Sequence, residues 1–200
     1  MRRGLVLAAA VALVPGCATP VTDRDIDWRF PALSKQGCPD LTGKYINNKK
    51  LFILLTGGLL GGGSRQGTRI EDVRPLPVPE PDQQDRTVYF TRIKQTASNL
   101  EAVLIDNANT EYIRGVVSLE HARIGCQNGA MIIRRLGNVA KAESAAGSAD
   151  VGETEFRRLP DGGIEAVDWA RRYLRSNLTG KATTKTDEKT TRWTFPPAPH

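Results

Sequence analysis

The dipeptide Asn128-Gly129 stands between two β-rich runs and constrains this chain more than any other feature. Asn and Gly enter the positive-φ backbone of a tight hairpin loop at little cost, so the flanking runs, Glu120 to Gln127 and Ala130 to Leu136, are expected to pair antiparallel. Similar punctuation recurs on both sides. Arg86 to Gln95 and Leu100 to Ile105 are separated by Thr96-Ala97-Ser98-Asn99, and Asp106-Asn107-Ala108-Asn109 turns the chain into Thr110 to Leu119. Gly137 to Gly152, rich in Ala, Gly and Ser, reads as a mobile loop. Glu153 to Leu159 and Ile164 to Leu174 flank Asp161-Gly162-Gly163 as a further hairpin, although Trp169 and Tyr173, four apart, would also suit a helix over 168–175. Ser176 to Thr190 reads as polar linker and Thr191 to Phe195 as a last strand.

Upstream, Thr42 to Asn47 is a first strand. Leu51, Leu54 and Leu55 follow at helical spacing, with Asn48 as N-cap and Gly57 as the residue past the C-cap, so one short helix is expected. Gly57 to Gly63 breaks regular structure, and a proline at every second position from Pro75 to Pro81 makes an extended segment unable to join a ladder. The fold class is therefore mainly β: a small antiparallel meander closing as a barrel or a two-layer sandwich, with one short helix.

The N-terminus says where such a domain belongs. Arg2 and Arg3 precede the apolar run Gly4 to Val14, a signal-peptide core too short to span a bilayer. Val14-Pro15-Gly16-Cys17 then resembles the lipobox of bacterial lipoprotein precursors. That resemblance implies acylation of the Cys17 thiol and cleavage between Gly16 and Cys17; an ordinary cleavable signal is the alternative. Ala18 follows the cysteine where an Asp would retain such a lipoprotein in the inner membrane, so an outer-membrane lipoprotein facing the periplasm is implied. Two or three acyl chains, at about 0.8 kcal/mol per buried methylene, anchor a protein effectively irreversibly.

Four regions follow: signal peptide 1–16, lipid-anchored tether 17–36, a single β-rich domain 37–195, and tail 196–200. As a flexible coil the tether would reach roughly 25 Å, with Trp28 and Phe30 expected to dock on the domain. Removing residues 1–16 takes away Arg2 and Arg3 and lowers the formal charge from +6 to +4, too small and scattered for nucleic-acid binding.

With Cys17 lipidated, Cys38 and Cys126 remain, an even number in an oxidising compartment. A Cys38–Cys126 disulfide is expected, with two separate buried thiols as the alternative. No cluster at ligand spacing accompanies either cysteine, so neither a metal nor a cofactor is expected.

Gly37-Cys38-Pro39-Asp40-Leu41-Thr42-Gly43-Lys44-Tyr45 resembles the opening of a loose group of Gram-negative outer-membrane lipoproteins, Cys-Pro-Asp-Leu-x-Gly-x-Tyr. Leu51 to Leu55, Cys126-Gln127-Asn128-Gly129, Asp161-Gly162 and Arg192-Trp193-Thr194-Phe195 extend the likeness over most of 37–195. It implies a β-rich envelope lipoprotein and carries no known activity. Gly43-Lys44-Tyr45 is also similar in outline to the first strand of lipocalins, which implies carriage of a small apolar ligand.

Catalytic constellations are thin. Gly58 to Ser64 has phosphate-loop glycines but lacks the lysine, and His121, three residues from Ser118, lacks a nucleophile elbow and reads as a surface residue. Glu153 and Glu155 share one strand face and read as solvated, as do Arg157, Arg158, Arg171, Arg172 and Arg175. Leu59 and Leu60 read as part of a connector, His200 as tail and Asn177-Leu178-Thr179 as an idle sequon. No catalytic residue is assigned. The expectation is a structural or interaction module, held to the membrane by its lipid and meeting an envelope protein partner, with the lipocalin-like carrier as the alternative.

Overall fold

Two antiparallel sheets, built in chain order, make up the computed structural model, which describes residues 22–46, 49–57, 68–74, 76, 88–139, 147–175, 182–184 and 188–199. The first sheet comprises β1 (Gly43–Ile46), β2 (Thr68–Asp72), β3 (Phe90–Gln95), β4 (Asn99–Ile105) and β5 (Glu111–Ser118), in the order β1-β3-β4-β5-β2. The second comprises β6 (Ile124–Gln127), β7 (Ala130–Val139), β8 (Gly147–Arg158), β9 (Ile164–Arg175), β10 (Ala182–Thr184) and β11 (Lys189–Phe195). There β6 to β9 pair successively, and β10 and β11 both pair with β9. A helix α1 (Lys50–Thr56) completes the set. The coarse expectation therefore holds: mainly β, antiparallel, one short helix. Among the described residues no barrel closes.

Turn chemistry set the strand ends as expected. Asn128 and Gly129 take φ of 52° and 72°, and Cys126 pairs with Met131 across the turn. Gly57, φ 96°, donates its N–H to the Ile53 carbonyl and ends α1. The N-cap, however, is Lys49, which makes no side-chain capping bond; Asn48 lies outside the described residues.

Leu100, Ala102 and Leu104 of β4, Met131 and Ile133 of β7, Phe156 of β8 and Ile164 and Ala166 of β9 point into one core between the sheets, capped by Leu51, Phe52, Leu54 and Leu55 of α1. Each Leu, Ile, Met or Phe among them contributes about 1.5–3 kcal/mol by leaving water. The chain crosses between sheets at its end, where Phe195 pairs with Ile164 while the Ile46 N–H bonds the Pro196 carbonyl and the Ala198 N–H bonds the Lys44 carbonyl. The expected tail thus lines the edge of β1 through residue 198, because Pro196, with no N–H to donate, still offers its carbonyl and Ala198 supplies the next N–H.

Several expectations are corrected. The loop expected over Gly137 to Gly152 is largely strand: β7 runs to Val139 and β8 starts at Gly147, paired on both sides. The small residues there suit close neighbours, since the Arg135 side chain lies directly over Gly152. The helical option over 168–175 fails, because β9 is ladder-bonded along its length. The run from Glu120 breaks into a turn before β6 begins at Ile124. Strands β2 and β10 fall where none was expected. The glycines and leucines of 58–63, most of the proline alternation and Asn177 lie outside the described residues, as do Gly16, Cys17 and His200.

Candidate functional site

Strand β9 has apolar residues on both faces: Ile164 and Ala166 point into the core, while Val167, Trp169 and Tyr173 point away from it. Something must cover the second face, and the covering element is the segment expected to be a tether. From a 3-10 turn at Asp23–Asp25 the chain runs across β7, β8 and β9, burying Ile26 against Ala149, Val151, Trp169 and Tyr173, with Trp28 packed beside them. Residues 22–36 are therefore a strap bound to the domain. Trp28 docks on the domain as expected, and Phe30 is held there through its backbone; residues 22–36 are not the flexible coil expected, because the second sheet face offers apolar area that the strap covers.

Glu153 is the latch. It is 1% exposed, and its carboxylate accepts the Arg29 N–H at 2.8 Å, the Phe30 N–H at 3.4 Å and the Arg134 Nε at 3.2 Å. The same Arg134 donates to the Phe30 carbonyl and lies 4.8 Å from the Trp28 ring centroid. Burial pushes the Glu153 pKa up, against the pull of Arg134 and the two amides. Glu155, on the same face, is 7% exposed and pairs with Arg157. The expectation that these two glutamates are solvated is corrected: the strap covers Glu153, and Glu155 is buried beside Arg157. Their closeness is structural: each carboxylate is spent on an arginine.

Further strap contacts lie at its two ends. Asp23 pairs with Arg123 at 2.7 Å, and Lys35 Nζ donates to the carbonyls of Leu119 and His121 at 2.8 and 2.7 Å. The strap then joins the β6 edge by a bridge between Ser34 and Cys126. Cys38 and Cys126 stand 5.1 Å apart at Cα, bonded as a disulfide that ties the strap's exit to the hairpin. His121 sits in the turn before β6, where its Nδ1 accepts the Arg123 N–H at 3.3 Å.

The arginines expected to be solvated are mostly engaged: Arg171 with Glu188 at 3.0 Å, Arg172 with Asp150 at 2.7 Å, and Arg158 with the Tyr45 hydroxyl and the Thr42 carbonyl. Arg175 carries only a described backbone. Arg158 opens onto a cleft of about 730 Å³ lined by Gly43, Lys44, Tyr45, Asp161, Gly162 and the tail residues Pro197 to Pro199. The sequence alone points to Glu153 only as a solvated residue, and to neither Arg134 nor this cleft. Only the apolar doubling of β9 could have signalled the first two, and nothing local signals a cleft made by residues more than a hundred positions apart.

Among the described residues no three His, Cys, Asp or Glu side chains group to hold a metal ion. No described helix is long and apolar enough to cross a membrane. No family model, curated protein or solved structure matches the chain.

Proposed function

We propose that this protein is a lipid-anchored lipoprotein of the bacterial envelope, of the Cys-Pro-Asp-Leu-x-Gly-x-Tyr group, whose β-domain acts as a structural or interaction module at the periplasmic face of the outer membrane. The strap carries this reading. With Cys17 in the bilayer and Asp23 held by Arg123, the intervening residues span at most about 20 Å even fully extended. The domain is then confined beside the membrane in a limited range of orientations, and its effective concentration for a membrane-bound partner rises accordingly. A long swinging tether would give reach; a latched strap gives position.

The two sheets are read as a two-layer sandwich, supported by the single core they share and by the tail that crosses from β11 to β1. The carrier alternative needs room between the sheets. That space holds Tyr45, Phe52, Leu100, Leu104 and Phe156, all essentially without solvent contact, so the interaction module is the reading kept. The test is membrane fractionation of the full-length protein expressed in a Gram-negative host beside Cys17→Ala. Wild type is expected in the outer-membrane fraction, resistant to salt and carbonate washing, and the variant in soluble or uncleaved form. Equal recovery of the two in the outer-membrane fraction, both cleaved, would contradict the lipid anchor.

A further inference from the structure

The cleft beside β1 holds cationic chemistry that the strap and the core leave unused. Two of its lining side chains are cations carried on separate elements. Arg158, at the end of β8, spends Nη1 on the Thr42 carbonyl at 3.0 Å and on the Tyr45 hydroxyl. These two bonds and the Tyr45 ring, 5.6 Å from its Cζ, hold the guanidinium plane, while among the described residues Nε–H and the Nη2 protons meet no acceptor. Lys44 on β1 is steadied by Asn109 Oδ1 at 2.9 Å and by the Phe90 ring at 4.5 Å, neither of which neutralises its charge. Among the described residues neither cation forms a salt bridge, the Asp40 carboxylate being close enough only to feel the Arg158 charge, whereas Arg69, Arg92, Arg114, Arg123, Arg134, Arg135, Arg157, Arg171, Arg172 and Arg192 all form one. The cleft's one acid, Asp161, turns Oδ1 onto the Gly163 N–H at 2.8 Å. Pro197, Ala198 and Pro199 add an apolar wall held in place by the Ala198 N–H on the Lys44 carbonyl.

We infer that this cleft is a binding site for an oxyanion, carboxylate or phosphate, carried on a partly apolar body. Arg158 presents a held fork suited to two oxygens of one group, and Lys44, with its ammonium held toward Asn109 and Phe90, adds a second and more distant positive charge at β1. The Pro-Ala-Pro wall takes the body, and Asp161, which lines the same cleft, disfavours a second negative charge there. A carboxylate-bearing wall sugar and a phosphorylated headgroup both carry this chemistry. The inference goes beyond the anchored-module reading and does not depend on lipidation.

The experiment is a titration of the uniformly 15N-labelled full chain, purified in detergent, with N-acetylmuramic acid, glycerol 3-phosphate and neutral N-acetylglucosamine, followed by amide and arginine side-chain NMR. Saturable shifts are expected at Gly43, Gly162, Ala198 and Arg158 Nε with one or both acids and none with the neutral sugar. The acid that saturates at lower concentration names the source. Arg158→Gln is expected to weaken binding about tenfold or more, and Lys44→Gln by less. Because Arg158 also braces Tyr45, Asp161→Asn serves as the second variant: removing the repelling acid should tighten the oxyanion while leaving the rest of the spectrum in place. The inference is overturned if neither acid gives saturable shifts by about 10 mM, the range of a weak single-site contact. It is equally overturned if the shifts survive Arg158→Gln in a folded protein, or if the neutral sugar produces them.

Discussion

Replacing Glu153 with Ala should unlatch the strap. The substitution removes the acceptor of two strap amides, Arg29 and Phe30, and of Arg134 Nε. The Arg134 side chain is only 12% exposed, so its charge would be left in a dry site with the Phe30 carbonyl and the Trp28 ring as its remaining neighbours. Breaking a buried pair by removing one partner costs about 3–5 kcal/mol. Part of that loss is recovered when the strap lifts and water reaches Arg134, so the expected destabilisation is about 2–4 kcal/mol. Glu153→Gln keeps an acceptor for one amide and loses the charge, and should cost about 1–2 kcal/mol. Two readouts separate the effects: urea unfolding for stability, and limited trypsinolysis at Arg24 and Arg29 for the strap. Glu153→Ala should speed cleavage at both arginines well before the β-domain is cut. A loss under about 0.5 kcal/mol, the scale of an ordinary surface change, with unchanged cleavage at Arg24 and Arg29, would refute the latch.

Further outcomes follow from the same contacts. Cys38 and Cys126 lie 88 positions apart, so replacing both with Ser should cost up to about 4–5 kcal/mol by the chain-entropy account; full stability in the double variant would show that the bridge closes nothing costly. A Cβ at Gly115 would collide with Thr56 Cγ2 on α1, so Gly115→Ala should lose about 1–3 kcal/mol in urea unfolding through overpacking. The hydrogen bond from Arg114, with the Arg92 guanidinium beside it, holds the Glu111 pKa below the usual carboxylate value. A lowered folded pKa gives stability present above the unfolded value and lost as pH falls through the folded one. Glu111→Gln should therefore flatten the acid limb of stability against pH. Glu153 carries the opposite sign: its raised folded pKa binds a proton more tightly in the native state, so this group favours folding more as pH drops toward the unfolded value near 4.5. Glu153→Gln should remove that contribution and steepen the net acid loss, measured by the same urea series at pH 4 to 7.

Much of the second sheet was legible because its turns are chemically narrow. Asn128-Gly129 and Asp161-Gly162 admit few backbones, and the runs flanking them are rich in β-branched and aromatic residues. Gly147 to Gly152 was not legible, because Ser, Ala and Gly supply no strand signal of their own; they are held in strand by β7 on one side and β9 on the other, with the Arg135 side chain covering Gly152. Strand β2 is short and polar, Thr-Arg-Ile-Glu-Asp, and forms only because β5 offers an open edge. The strap escaped notice for a different reason. Its residues lack periodicity, and its docking depends on a surface that exists only after β7, β8 and β9 have assembled. Charged residues were misread for the same reason. A glutamate at an alternating strand position looks solvated until the segment that covers it is known, and Glu153 is covered by residues more than 120 positions away.

The most direct test of the anchored, strapped domain is the intact mass of the full-length product extracted from membranes, taken first without and then with reduction. The account predicts a chain beginning at Cys17 that carries acyl groups and gains two hydrogens on reduction, as one internal disulfide between Cys38 and Cys126 requires. An unacylated chain, or one beginning elsewhere, would contradict the anchor, and an unchanged mass on reduction would contradict the bridge that ties the strap to the sheet.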